Sequence, residues 1–97
     1  MSISTGLTGT GSSQGTSYPI STKYSVFSTV ALNAGALLPV NMDDVYIRNT
    51  GANGLLIWPP VGYSVDGGSV NASVSISANT TARYVKDAAG NWFRMDK

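Results

Sequence analysis

The chain of 97 residues contains no cysteine, no histidine and no glutamate, and only 11% of it is charged. Lacking thiols, it can form neither a disulfide framework nor a thiolate metal site, so burial and association must supply its stability. Lacking histidine, it has no Ser-His-Asp triad and no imidazole metal ligand, and acid–base work would fall to Asp, Lys or Tyr. The charged share is less than half the usual figure of about 25%. The six basic residues, Lys23, Arg48, Arg83, Lys86, Arg94 and Lys97, stand singly along the chain with a net charge of +1, so no cluster tracks a phosphate backbone and no nucleic-acid partner is expected. No stretch approaches the ~20 apolar residues of a membrane span, and the first residues lack the basic and apolar regions of a secretion signal. The expectation is a soluble chain with no membrane partner.

Ser, Thr, Asn and Gly fill the space left by charge, a composition that favours strands and turns. Residues 1–17 carry only Met1, Ile3 and Leu7 as apolar side chains and read as a flexible Ser/Thr/Gly-rich N-terminal arm. Residues 18–97 read as one domain. Lys23 to Leu32 alternates with a two-residue period, which predicts a strand. Val45–Asn49 and Leu55–Trp58 read as the two strands of a hairpin around Asn49-Thr50-Gly51-Ala52-Asn53-Gly54, with Asn and Gly supplying positive φ. Asp66-Gly67-Gly68 predicts a second tight reversal between Ser64-Val65 and Ser69-Val70. Val74 and Ile76 alternating with Ser73, Ser75 and Ser77 read as a further strand, as do Ala82–Lys86 and Trp92–Met95. About eight short strands without helical periodicity predict an all-β fold, a compact antiparallel β-sandwich of jelly-roll type. Its expected core holds Tyr24 or Phe27, Val26, Val30, Leu38, Val45, Ile47, Leu55, Ile57, Val74, Ile76, Tyr84 and Trp92.

No catalytic, cofactor-binding or metal site is expected. Asp43-Asp44 is the one acidic pair, and neighbours on an extended chain point to opposite faces. Trp58, with Tyr46 and Tyr63 nearby, could offer a stacking platform to sugar rings, but packing in a core or interface is the preferred reading for Tyr46, Trp58, Tyr63 and Trp92.

Ile47-Arg-Asn-Thr-Gly-Ala-Asn-Gly-Leu-Leu-Ile-Trp-Pro-Pro60, then Val65-Asp-Gly67, Val74-Ser-Ile-Ser-Ala-Asn-Thr80 and Gly90-Asn-Trp92, resembles a recurring module of tailed-bacteriophage virion proteins. Trp58 stands where such modules more often have Tyr. The resemblance implies a β-sandwich that assembles as a homotrimer in head decoration (cement) proteins, head fibres or tail fibres. The expected function is therefore non-enzymatic: capsid decoration on the virion surface, in contact with the major capsid protein after synthesis in the host cytoplasm. Ile3, Leu7 and Tyr18 are the expected contacts of the arm with capsid or neighbouring subunit. The alternative is a carbohydrate- or receptor-binding module of a fibre or spike.

Overall fold

Stretches of alternating apolar residues form strands, and through the first six strands successive ones go to opposite sheets. The computed structural model describes residues 3–96; Met1 and Ser2 of the expected arm and Lys97 of the expected domain lie outside the described residues. The described residues form nine strands, β1 (Ile3–Thr8), β2 (Tyr18–Pro19), β3 (Tyr24–Thr29), β4 (Gly35–Leu37), β5 (Asp44–Asn49), β6 (Leu55–Trp58), β7 (Val74–Ile76), β8 (Thr80–Lys86) and β9 (Trp92–Arg94), with one short 3-10 turn at Gln14–Thr16. One sheet has the order β1-β3-β5-β8-β9 and the other β2-β4-β6-β7.

From β1 to β6 the chain therefore alternates between sheets, and each sheet gains its new strand in parallel: β1 on β3, β3 on β5, β2 on β4 and β4 on β6. Ile3, Tyr24 and Tyr46 are register partners, so successive coils advance by 21 and 22 residues. A parallel pair needs a long crossover. Here the strand in the opposite sheet serves as that crossover, as in a short β-solenoid. β7, β8 and β9 then add antiparallel and close the C-terminal end. The two-sheet, all-β reading holds, but the sheets are mixed rather than antiparallel.

Two local readings are corrected. β5 and β6 are not hairpin partners, since they lie in different sheets, and the turn between them carries the chain across the core. None of Asn49 to Gly54 has a positive φ. Its glycines serve close approach instead: a Cβ on Gly51 would sit 2.8 Å from Val30 Cγ2, and one on Gly54 2.8 Å from Ser75 Oγ. Asp66-Gly67 does form the tight reversal, with φ of 58° and 74° and Gly68 N donating to Val65 O at 3.0 Å. No strand follows at Ser69-Val70. Val65 pairs instead with Trp92 in a parallel bridge.

The described part of the expected arm, residues 3–17, lies along the domain. Ile3–Thr8 is the edge strand of the larger sheet, with a register shift at the positive-φ Gly6. Thr10 and Gly35 exchange backbone hydrogen bonds at 3.0 and 3.2 Å. Gln14 Nε2 then donates to Pro59 O at 2.6 Å and Asn71 Oδ1 at 3.2 Å, tying the 3-10 turn down on the smaller sheet. The open edge of β3 and the bare backbone of Gly35 supply hydrogen-bond partners to this segment of low apolar content.

Both sheets contribute to one core: Phe27, Val45, Ile47, Ala82, Tyr84 and Trp92 from the larger, Ala36, Leu55, Ile57 and Ile76 from the smaller, with Ile20, Val30, Leu38 and Val65 from the connections. Each of the large side chains contributes about 1.5–3 kcal/mol by leaving water. Phe27, not Tyr24, faces inward. Val26 is corrected to the outer face, since it alternates with buried Ser25 and Phe27 on β3.

Candidate functional site

Alternation along β3, β5 and β8 puts every second side chain on the outer face of the larger sheet. The register aligns Ile3, Tyr24, Tyr46 and Arg83 in one cross-strand row, and Val26, Arg48 and Thr81 in the next. Tyr24 and Tyr46 stack with ring centroids 5.0 Å apart and planes 18° from parallel. The Arg83 guanidinium stands 5.5 Å from the Tyr46 centroid, and Lys23 Nζ 5.9 Å from that of Tyr24.

Charge on this face is unevenly matched. Asp44 Oδ2 lies 3.6 Å from Lys23 Nζ and 3.5 Å from Arg83 Nη2, so one carboxylate serves two cations. Arg48 Nη1 donates only to neutral oxygens, Asn79 O at 3.2 Å and Thr81 Oγ1 at 3.1 Å; among the described residues no carboxylate pairs with it. Between them, Ile3, Tyr24, Val26, Tyr46, Arg48 and Thr81 line an apolar groove of about 190 Å³. Ile3 itself is 58% exposed.

Of the residues singled out from sequence, the structure brings Ile3 and Tyr46 together in this groove and scatters the others. Leu7 packs against the domain's own core, and Tyr18 meets Phe27 edge-to-face at 5.5 Å, so both are already used within the chain. Trp58 is half-buried on the outer side of β6. Its Nε1 and Ser17 Oγ lie over Gly35, each 2.9 Å from where a Cβ would stand, and Nε1 is buried without a partner. Tyr63 lies against Gly90, whose Cβ would fall 2.5 Å from the ring, beside a small cavity of about 60 Å³ lined also by Val40, Pro60 and Lys86. Trp92 is fully buried. The sequence points to Tyr24 only as a core candidate, to Arg48 and Arg83 only as scattered basic residues and to Thr81 not at all, although the two-residue periods Tyr24-Val26 and Tyr46-Arg48 carry the signal of a shared outer face.

Three further features matter to stability. The buried amide of Asn49 donates to Asn53 O at 2.8 Å and Ile76 O at 3.1 Å, while its Oδ1 accepts from Gly51 N at 2.9 Å. Arg94 grips Asp96 through Nε at 2.8 Å and Nη2 at 3.2 Å, which holds the Asp96 carboxyl below its usual range. Burial pushes the Tyr84 phenol up to about 12, and its hydroxyl has no partner. Among the described residues no three acidic side chains converge as a metal cage, and no helix is long and apolar enough to cross a membrane. Compared with family models, curated proteins and solved structures, the chain matched none.

Proposed function

We propose that this chain is a non-enzymatic virion structural protein, a capsid decoration (cement) protein of the tailed-bacteriophage kind. It assembles as a homotrimer, binds the major capsid protein and stabilises the head shell from its outer surface after synthesis in the host cytoplasm. No cofactor takes part.

The observation that carries this reading is the match between the phage-like motif and the parts that lock the domain. Asn49, Gly51 and Asn53 fasten the crossing between sheets, with Asn53 Nδ2 donating to Val30 O at 2.9 Å. Val65 and Trp92, from the later motif segments, bridge to each other in the core. Charge segregation is consistent with it. The four strands of the smaller sheet, Tyr18–Pro19, Gly35–Leu37, Leu55–Trp58 and Val74–Ile76, contain no charged residue. An uncharged sheet lowers the desolvation penalty of burial in a large assembly. The glycan-binding alternative calls for an open Trp58 or Tyr63; Trp58 is half-buried with its Nε1 over Gly35, which disfavours it there, and Tyr63 has Gly90 against part of its ring.

Purified protein added to heads of the encoding phage, assembled without it, should sediment with them to a saturating ratio. Failure to co-sediment would refute the proposal. Light scattering behind size exclusion should report three chains, and a stable monomer at micromolar concentration would refute the trimer.

A further inference from the structure

We propose that the outer face of the five-stranded sheet docks an extended acidic segment of another protein, with Arg48 receiving a carboxylate and the neighbouring groove receiving an apolar side chain. The inference goes beyond the decoration reading and does not depend on the partner being a shell protein.

Three observations converge on it. First, Lys23 and Arg83 share a single carboxylate, Asp44, while Arg48 has none among the described residues and is held by neutral oxygens. A guanidinium with two neutral acceptors is complementary to an incoming carboxylate, which it can take in a charge-assisted and bidentate manner. Second, the groove beside it is lined chiefly by Ile3, Val26 and tyrosine ring carbon, on a sheet face where a solvent-facing strand would place polar side chains. Third, the smaller sheet is already overlain at Gly35 and Pro59 by residues 10–17, whereas among the described residues no such segment is bonded over the Tyr24–Tyr46 row.

The ring geometry selects protein over sugar or base. Stacking of a sugar or a nucleobase needs an open aromatic face. Tyr46 has Tyr24 on one side and the Arg83 guanidinium above its ring, so the row offers edges and hydroxyls instead. Such a row suits the side chains of an extended peptide, alternating apolar and acidic, laid over Arg48 and the groove.

The test titrates the full ¹⁵N-labelled chain with an acetylated, amidated heptapeptide alternating valine with aspartate, and separately with its lysine counterpart and with sialyllactose. The aspartate peptide should shift the amides of Ile3, Val26, Arg48 and Thr81 saturably, and added salt should weaken the effect. Arg48→Glu should weaken binding about tenfold or more. Arg48→Gln, which keeps an amide donor for Asn79 and Thr81, should weaken it while leaving the melting temperature in place. Equal binding of the lysine peptide, shifts centred elsewhere, or undiminished binding by both variants would overturn the proposal. Sialyllactose moving these resonances where the peptide does not would also overturn it, in favour of an acidic sugar.

Discussion

Replacing Asn49 by Ala strikes the point where the chain crosses between sheets. Asn49 is fully buried, and its side chain satisfies three backbone groups: the carbonyls of Asn53 and Ile76 and the N–H of Gly51. Each group stranded in the interior costs about 1–3 kcal/mol, and some relief comes from relaxation and water entry, so we expect a loss of about 3–5 kcal/mol. Against a total stability of about 5–15 kcal/mol for a domain of this kind, the loss is large. At roughly 4–8 °C per kcal/mol, melting should fall by about 15 °C or more. Urea titration followed by tryptophan fluorescence reads the change as a shift in midpoint at constant slope. Asn49→Asp sharpens the test, because a carboxylate can still accept from Gly51 N but must face two carbonyls. Its folded-state pKa should be raised by burial and by those oxygens. The sign follows: such a variant is most stable below the unfolded carboxyl value near ~3.9 and loses stability as pH rises through the higher folded value, a dependence the parent lacks at this position. A midpoint loss below about 1 kcal/mol for Asn49→Ala, or a parent-like pH profile for Asn49→Asp, would refute the reasoning.

Gly35→Ala should destabilise by about 1–3 kcal/mol, because its Cβ would meet Ser17 Oγ and Trp58 Nε1 at 2.9 Å and the Leu56 carbonyl at 3.0 Å; a parent-like thermal melt would show that Trp58 is free to move. Tyr84→Phe should be neutral or stabilising by up to about 1 kcal/mol, since it removes a buried hydroxyl that has no partner. With the Tyr84 pKa raised to about 12, its contribution is intact below the unfolded value of 10.0 and is lost as pH rises through 12, so the variant should lose that part of the alkaline dependence in pH-resolved melts. Deleting residues 1–8 should lower stability by at least about 2 kcal/mol by stripping Leu7 from the core and baring the edge of β3; an unchanged urea midpoint would return the segment to the status of an independent arm.

Most strands and most of the core were legible because alternation is a local signal: Val45, Ile47, Leu55, Ile57, Ile76, Tyr84 and Trp92 all face inward as their spacing requires. The pairing of strands was not legible. Asn49-Thr50-Gly51-Ala52-Asn53-Gly54 has the residues of a hairpin turn, yet its glycines are selected by contact with Val30 and Ser75, which only the folded chain reveals. Parallel pairs such as β3 with β5 leave no turn between them to read, and the coil advance is visible only once Tyr24 and Tyr46 are seen side by side. Ile3–Thr8 was hidden for a different reason. Its order derives from the open edge of β3, so its own composition carries little trace of it. The outer-face groove was missed with the pairing, because Ile3, Val26, Arg48 and Thr81 converge only across four strands.

The decoration proposal is tested most directly by heating heads of the encoding phage with and without the purified protein and following shell dissociation by calorimetry and light scattering. Binding to the intact shell alone must stabilise it by mass action, so the account predicts a saturable rise in the dissociation temperature with added protein. An unchanged dissociation temperature at saturating concentration would contradict it.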